Sequence, residues 1–368
     1  MARARAAAAA GAPSLHVLGM GTALPGEPVG NDRLSHRLGI PSAWVETFIG
    51  TRTRHFAVDL DSGRVRWSLE DLCTDAADRA LADAGAEPSE VGFIVLATAT
   101  PDALMPTTAA LLADRLGIEG AAAYQLQSGC GGAVQAFAVA RALLAVSPSG
   151  LGLVVGGDVC SKHLDLAQDF RELPPGALVN YVLFGDGAGA AVVSGTHRPG
   201  TRAVLTHLEH RLAGLGLPPG QRVEWFGAAD LRNGGVRGPA VTEDYKAVEH
   251  RVPVLARELR DTLLTVSGWR PDTVDYLLPP QLSGRMTERI TSELGQGFEW
   301  EPVSCVAETG NNGNALVFLQ LDRLLPRLTR AQRALALAVE SSKWIRAGFT
   351  VEAPEGAPRA APQEAPDA

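Results

Sequence analysis

The sequence predicts an α/β fold built from two similar halves, and two observations lead to this prediction. Apolar strands alternate with helices: residues 93–97, 151–155 and 334–339 are continuous apolar runs, and residues 133–145 are apolar nearly all round a helix. Such segments are typical of a sheet that is covered by helices on both faces. In addition, two sequence blocks recur in the same order, which indicates an internal duplication.

The repeat consists of two pairs of matching blocks. AGAEPSEVGFIVL matches SGWRPDTVDYLLP 183 residues further along, and SGCGGAVQAF matches TGNNGNALVF 181 residues further along. Two blocks in the same order at nearly the same spacing favour a duplicated half over a coincidence between two unrelated strand–turn–helix units. The repeat places Cys130 and Asn311 at equivalent helix entrances, facing one shared centre.

The repeat also divides the chain. We expect the first half to cover residues 14–195 and the second half to cover residues 196–352. Residues 1–13 contain two arginines and an alanine run but no signal-peptide core or cleavage site, which predicts a disordered leader. Residues 353–368 are rich in proline, alanine and charge, which predicts a disordered tail.

Composition narrows the class of protein. Of 368 residues, 46% are hydrophobic and 20% are charged, which is enough for a large core. The net charge of −8 argues against nucleic acid as a partner, and no apolar run reaches the roughly 18 residues of a membrane span. Four widely spaced cysteines, without a CxxC or HExxH motif, argue against a metal site or a disulfide framework. We therefore expect a cytoplasmic protein with free thiols and no metal.

Cys130 is the strongest single candidate for chemistry. Glycines flank it on both sides, and an apolar helix begins just after it. Backbone N–H groups and the helix dipole stabilise a thiolate at a helix N-terminus, so we expect a lowered pKa and a nucleophilic role. The alternative is a small buried cysteine packed between helices. The other cysteines lack a glycine frame and are expected in the core: Cys73, Cys160 and Cys305.

Six blocks follow one another between residues 14 and 352: GMGTALPG, SAWVETFIGTRTRHF, MPTTAALLADRLG, QSGCGGAVQAF, VLFGDGAGAAVV and TGNNGNALVFLQLD. Together they resemble the ketosynthase III group of the thiolase superfamily, whose members build and transfer acyl chains carried on coenzyme A or acyl carrier protein. The resemblance implies a thiolase-like five-layered α-β-α-β-α fold, a homodimer, and no cofactor beyond the thioester substrate. It also implies that Cys130 carries the acyl group and that Asn311 helps to bind an enolate oxygen.

One departure from the family concerns its catalytic histidine. The family motif W-L-V-P-H-Q-A-N corresponds to YLLPPQLS here, so Pro280 stands where the histidine is expected. Proline has no side-chain donor or base, and loss of one oxyanion donor typically costs about 100- to 1000-fold in rate. Asn311 alone is therefore a poor decarboxylation catalyst, which favours acyl transfer over decarboxylative condensation. The candidate replacement bases are His210 and His207, followed by His163.

A second departure concerns the substrate entrance. The resemblance implies that Trp44 stacks on the adenine of coenzyme A, but Phe48 stands where the family has an arginine for the nucleotide. Loss of this charged contact favours a donor carried on acyl carrier protein. Arg52 and Arg54 are candidates to compensate for the loss and to dock the acidic carrier.

A third departure lies near the C-terminus, where relatives have a glycine-rich loop that donates a backbone N–H to the acyl oxyanion. Here the segment reads VESSKW, and we expect the polar side chains of Glu340 and Ser341 near the substrate pocket. The alternative is a solvated loop.

These features together predict an acyltransferase that resembles ketosynthase III enzymes of polyketide and antibiotic pathways. An acyl group passes from a carrier-protein or coenzyme A thioester to Cys130, and then to a small acceptor with a hydroxyl, amine or thiol. The first alternative retains Claisen-type C–C bond formation, with another residue in place of the histidine. The second is a non-catalytic partner subunit of a ketosynthase, which the intact frame of Cys130 argues against.

Overall fold

The computed structural model describes the following residues: 14–147, 150–164, 175–223 and 241–357. The predicted leader and residues 358–368 of the predicted tail lie outside the described residues. The strands are β1 (Leu15–Ala23), β2 (Val29–Gly30), β3 (Thr53–Arg54), β4 (Val91–Thr98), β5 (Ala122–Gln127), β6 (Leu151–Asp158), β7 (Gly187–Ser194), β8 (Ala203–Leu212), β9 (Gln221–Val223), β10 (Val241–Glu243), β11 (Tyr276–Leu278), β12 (Glu301–Pro302), β13 (Arg333–Glu340) and β14 (Ile345–Glu352).

The α-helices alternate with these strands, as the apolar patterning predicts. They are α1 (Asn31–Leu38), α2 (Ser42–Trp44), α3 (Leu69–Ala84), α4 (Thr108–Arg115), α5 (Gly132–Val146), α6 (Pro175–Leu183), α7 (Tyr245–Ser267), α8 (Gly284–Leu294), α9 (Val306–Thr309) and α10 (Leu316–Leu324). Within the described ranges, no helix combines the length and the apolar character that crossing a bilayer requires.

Ten strands form one mixed sheet in the order β5-β4-β6-β7-β1-β8-β14-β13-β11-β12. Read from the outer edge inwards, the first half-sheet is β5, β4, β6, β7 and β1, and the second is β12, β11, β13, β14 and β8. When the five strands of each half-sheet are numbered along the chain, both follow the same order: third, second, fourth, fifth, first. The pairing directions repeat as well, because β4 is parallel to β5 and β6 just as β11 is parallel to β12 and β13. The halves meet where β1 pairs antiparallel with β8 and Leu15 lies opposite Leu205. The predicted internal duplication is confirmed.

The first pair of matching blocks marks equivalent corners of the two halves. Helix α3 ends at Gly85 and helix α7 ends at Gly268, and both glycines adopt left-handed backbone conformations, with φ of 62° and 68°. Such a conformation at a helix end favours glycine. A short 3-10 helix follows each of them and leads into β4 or β11. The residues shared by the two blocks therefore end the preceding helix and begin the following strand in the same way in both halves.

The helices and the two half-sheets form five layers. Helices α3 and α4 cover the outer face of the first half-sheet, and α7 and α8 cover the outer face of the second. Helices α5 and α10 lie between the two, and their apolar side chains form one cluster with the inner faces of both half-sheets. The ring of Phe137 on α5 lies 5.2 Å from that of Phe318 on α10 and 5.8 Å from that of Phe349 on β14, measured between centroids. The expected five-layered arrangement is confirmed, and the loops that begin the two central helices meet in its middle.

Candidate active site around Cys130

Cys130 lies between the end of β5 and the start of α5, in the loop that the repeat predicts to face the centre of the molecule. The loop packs directly on the segment that carries Asn311. The side chain of Asn314 donates hydrogen bonds to the backbone oxygen of Ser128 and to Asp158, both at 2.9 Å. A β-carbon at Gly132 would collide with the side-chain oxygen of Asn314, so the close contact between the loops requires glycine there.

Cys130 opens into a small cavity of about 50 Å³. Strand β6 and the 3-10 helix Cys160–His163 form its other wall and contribute Asp158, Cys160 and His163. Cys73 and Cys305 are fully buried, as predicted, but the prediction that Cys160 belongs to the core is wrong. Cys160 is only partly buried and lines the cavity, because β6 ends beside the N-terminus of α5. The remaining lining residues are Ala99, Thr100, Gly129, Leu164, Asn180, Phe184, Gln221, Val223, Val241 and Gly313.

The electrostatic environment of Cys130 differs from the one predicted. Burial raises the pKa of its thiol to about 12, and the carboxylates of Glu340, Asp158 and Glu243 add to the shift. The expected lowering of the pKa by the helix N-terminus is therefore wrong for the protein without substrate. The main physical reason is the burial of the thiol, and the second is that Glu340 occupies the helix end, where its carboxylate accepts a hydrogen bond from the backbone N–H of Gly131 at 3.2 Å.

Asp158 is the buried polar anchor of the site. The two threonine hydroxyls of Thr98 and Thr100, and the backbone N–H of Ala99, donate to one of its oxygens. The backbone and side-chain nitrogens of Asn314 donate to the other oxygen at 2.8 and 2.9 Å. Burial raises the pKa of this carboxyl in spite of these donors. Asp158 thus ties β4 and β6 of the first half to the Asn311 loop of the second.

Asn311 is held in place by hydrogen bonds of its backbone and of its side-chain oxygen. Its N–H donates to the oxygen of Leu183, and the N–H of Gly185 donates to its backbone oxygen, at 2.9 and 3.1 Å. Its side-chain oxygen accepts from the N–H of Gly313, which lines the Cys130 cavity. Asn311 itself is 5% exposed and does not line the Cys130 cavity, although Gly313 of the same loop does.

Of the three candidate bases, His163 is the one that lines the Cys130 cavity. Burial and the neighbouring Lys162 lower the pKa of His163, which favours a neutral imidazole. His207 accepts or donates hydrogen bonds with two threonine hydroxyls on β8 and β14, and it lines neither this cavity nor the outer one described below. His210 pairs with Ala347 across the same two strands; burial lowers its pKa, and the carboxylate of Glu340 opposes this shift.

Pro280 follows β11 and is buried. The next residue, Gln281, fixes this loop, because its side-chain oxygen accepts hydrogen bonds from the backbone N–H groups of Cys305 and Val306 at 2.8 and 2.7 Å. These hydrogen bonds join the loop after β11 to the start of α9, the helix that immediately precedes the Asn311 segment. Pro280 itself offers no side-chain donor.

A second, larger cavity of about 540 Å³ opens towards solvent and carries Trp44 and Phe48 on its wall. The rings of these two residues lie 5.8 Å apart, and Phe48 is 63% exposed. The two cavities share a partition: Tyr245 lines the outer cavity, and its hydroxyl donates at 2.7 Å to the side-chain oxygen of Asn180, which lines the inner one. Burial raises the pKa of Glu243, beside Tyr245, to about 7.

Neither of the two arginines expected at the entrance lines the outer cavity. Arg54 is fully buried, where it donates to the side-chain oxygen of Asn31 and to a backbone oxygen, and burial lowers its pKa to about 10. Its expected role in carrier docking is therefore wrong. Arg52 is exposed and forms an ion pair with Glu308. Of the two polar residues of the VESSKW segment, Glu340 lies against the Cys130 loop, and Ser341 accepts a backbone hydrogen bond from Gly220.

Two arginines that the sequence analysis missed line the outer cavity, namely Arg285 and Arg289 on α8. The guanidinium of Arg285 donates to the backbone oxygens of Thr47 and Glu46, next to Phe48. The available signal was their spacing of four residues, which places both on one face of a helix.

The profile of the family 3-oxoacyl-[acyl-carrier-protein (ACP)] synthase III matches residues 124–211. The chain is similar to AbyA1, described as a tetronic acid condensing enzyme, with 55% identity, a TM-score of 0.87, and coverage of 92% of this chain and 99% of that one. It is also similar to FabH, 3-oxoacyl-(acyl carrier protein) synthase III of Pseudomonas aeruginosa PAO1, with 27% identity, a TM-score of 0.77, and coverage of 95% and 100%. The priming β-ketosynthase of the R1128 polyketide biosynthetic pathway shares 27% identity at a TM-score of 0.76, with coverage of 92% and 96%.

Proposed function

Because this chain belongs to the ketosynthase III family of the thiolase superfamily, we propose that it is an acyltransferase that acts through an acyl–Cys130 intermediate. The acyl group arrives on a carrier-protein or coenzyme A thioester and leaves on a small acceptor. The observation that carries the proposal is the position of Cys130 in an inner cavity, behind an outer cavity lined by Trp44 and Phe48. Intact-protein mass spectrometry, which detects the acyl group on the protein and its departure when an acceptor is added, tests it.

The acceptor we propose is an oxygen together with an activated carbon. A tetronic acid ring contains an ester bond and a C–C bond to a carbon flanked by two carbonyl groups. Both bonds can form by acyl transfer from thioesters. The ester forms by transfer of an acyl group to a hydroxyl oxygen. The C–C bond forms by transfer to a carbon between two carbonyls, which loses a proton to a base without any decarboxylation. The similarity to AbyA1, a tetronic acid condensing enzyme, supports this substrate class and a role in polyketide-type biosynthesis. Pro280 is compatible with it, since no enolate has to be generated from malonyl thioester.

We further propose that His163 is the base for the second half-reaction, in place of the family histidine. Support comes from its position in the Cys130 cavity and from the lowering of its pKa by burial, so that the imidazole is neutral and able to accept a proton at pH 7. His163→Gln is expected to slow transfer from acyl–Cys130 to the acceptor by about 100-fold or more, and to leave acylation of Cys130 within about twofold. Quenched single-turnover reactions followed by intact mass separate the two steps.

The pH profile gives a second readout of this base. Because the pKa of His163 is lowered, the transfer rate should persist below pH 6.5 and fall only when the imidazole takes up a proton at lower pH. His36→Gln, at an exposed position, is the matched control. Equal losses in both half-reactions, or no loss in either, would contradict the assignment.

We propose acyl carrier protein as the preferred donor, because Phe48 replaces an arginine at the exposed entrance. Phe48→Arg is expected to raise kcat/KM for acylation by acyl-coenzyme A by roughly 2- to 10-fold at low salt, and the gain should disappear at high salt. The acylation rate from carrier protein should change by less than about twofold, since the pantetheine arm is common to both donors. A gain of the same size with both donors, or a wild-type preference for coenzyme A, would overturn this proposal.

A homodimer is part of the proposal. Strand β5 lies at the outer edge of the ten-stranded sheet and leads directly into Cys130. Tyr124 on this strand is 41% exposed, and Leu104 and Met105, in the segment that precedes α4, are 67% and 85% exposed. An unpaired edge strand with apolar neighbours is a favourable surface for pairing with a second copy of the chain.

A further inference from the structure

The carboxylate of Glu340 lies against the loop that carries Cys130. One of its oxygens accepts hydrogen bonds from the hydroxyl of Ser128 at 2.9 Å and from the backbone N–H of Gly131 at 3.2 Å. These donors belong to residues on both sides of Cys130. The hydroxyl of Ser342 donates to the other oxygen. Glu340 is only 5% exposed, so its carboxylate is shared between the Cys130 loop and the segment after β13.

The glycines beside Cys130 make room for this carboxylate. A β-carbon at Gly129 would lie 3.2 Å from the carboxyl carbon of Glu340, and one at Gly131 would lie 3.0 Å from its oxygen. Both distances are tighter than ordinary contacts, and a carboxylate held by three hydrogen bonds has little freedom to move aside. The glycine frame that singles out Cys130 in the sequence therefore also accommodates Glu340.

The other ionisable groups near Cys130 have different partners. Asp158, on β6, accepts five hydrogen bonds from its own surroundings, and Glu243, on β10, lies beside Tyr245, whose hydroxyl donates to Asn180. Cys160 and His163 reach the cavity from the 3-10 helix after β6. His210, on β8, also lies within the electrostatic influence of Glu340, whose carboxylate opposes the lowering of the pKa of His210 by burial. Of the three carboxylates around the thiol, Glu340 is the one bonded to the Cys130 loop itself.

We propose that Glu340 accepts the proton of Cys130 as the thiol attacks an electrophile, which in the enzymatic reaction is the acyl thioester, and returns it to the departing carrier thiol; this inference rests on the proposed acyl transfer. The thiol gives its proton to the carboxylate, and the resulting thiolate attacks the thioester carbonyl. The C–S bond to the carrier breaks as the C–S bond to Cys130 forms. The carrier thiolate then takes the proton from the carboxylic acid, which restores the Glu340 carboxylate and releases a neutral thiol.

This proton transfer keeps one negative charge at the N-terminus of α5. Before it the charge is on Glu340, and after it the charge is on the sulfur of Cys130. The helix end and its N–H groups stabilise either anion, but both together would repel each other. In this arrangement the thiol can act as a nucleophile at neutral pH, although the Cys130 loop itself contains no arginine or lysine. Glu340, expected from the sequence only as a polar side chain near the substrate pocket, thereby becomes the base for Cys130.

The test is the pH dependence of Cys130 alkylation by iodoacetamide, measured by mass spectrometry of the Cys130 peptide. This assay needs no acyl donor. If Glu340 takes the proton, the wild-type rate should change by less than about threefold between pH 6 and pH 8. In Glu340→Gln the thiol must lose its proton to solvent, so the rate should rise about tenfold per pH unit, as for any thiol below its pKa. Glu119→Gln, which changes an exposed glutamate, should retain the wild-type profile.

A wild-type rate that rises about tenfold per pH unit would overturn the proposal, and this outcome does not depend on the folding of any variant. A flat profile in Glu340→Gln would overturn it as well. Failure of the proposed function gives a different pattern, because alkylation would then retain the flat wild-type profile while no acyl thioester modifies Cys130.

Discussion

Cys130→Ala is expected to abolish acyl transfer, with a loss of at least about 1000-fold, while the protein remains folded. The sulfur is the nucleophile that forms the covalent intermediate, and no other side chain can replace it at the head of α5. Stability should change by about 1 kcal/mol or less, because the thiol is partly exposed to a small cavity and makes no hydrogen bond that holds the fold together. Product formation and thermal unfolding, measured on the same preparation, check both parts.

Cys160→Ala is the informative comparison, since Cys160 is the other thiol of the same cavity. The acyl adduct should still form on Cys130 in this variant. Turnover in Cys130→Ala at the wild-type rate, or an acyl label on Cys160 in the wild-type protein, would show that the nucleophile has been assigned to the wrong residue.

Malonyl thioesters should not be decarboxylated efficiently. Decarboxylation needs two donors to stabilise the enolate oxygen, and of the two family positions Asn311 retains a side-chain donor whereas Pro280 has none. The release of carbon dioxide should therefore be at least about 100-fold slower than acyl transfer. Release of labelled carbon dioxide from malonyl thioester, followed together with product formation, gives the two rates.

The companion variant is Pro280→His, which restores the family residue on the same backbone. It should gain measurable decarboxylation, with Asn311 as the partner donor. Carbon dioxide released in step with product by the wild-type protein would instead favour the alternative of decarboxylative condensation, in which another residue has taken over the role of the histidine.

The fold was largely predictable from the sequence, because its signals are local. The left-handed helix ends at Gly85 and Gly268 need glycine, and both occur at equivalent places in the repeated blocks. The frame of Cys130 was predictable for the same reason. At these positions the residue type itself indicates the local backbone conformation, independently of the surrounding structure.

The chemical environment of the site was less predictable, because it depends on contacts between distant residues. Glu340 lies 209 positions from Gly131, so the sequence could not show that a carboxylate occupies the helix end and adds to the effect of burial, which raises the pKa of Cys130. Cys160 and His163 line the cavity only because β6 ends there. The two arginines near β3 illustrate the same limit: Arg54 is buried and Arg52 is exposed, although they are two residues apart.

Intact-protein mass spectrometry after mixing with a panel of acyl thioesters tests the central claim most directly. The account predicts a mass increase equal to one acyl group, located on the Cys130 peptide and lost when the acceptor is added, and a larger yield from carrier-protein donors than from coenzyme A. Absence of any adduct across the panel, or an adduct confined to Cys73, Cys160 or Cys305, would contradict it and would favour a non-catalytic partner subunit.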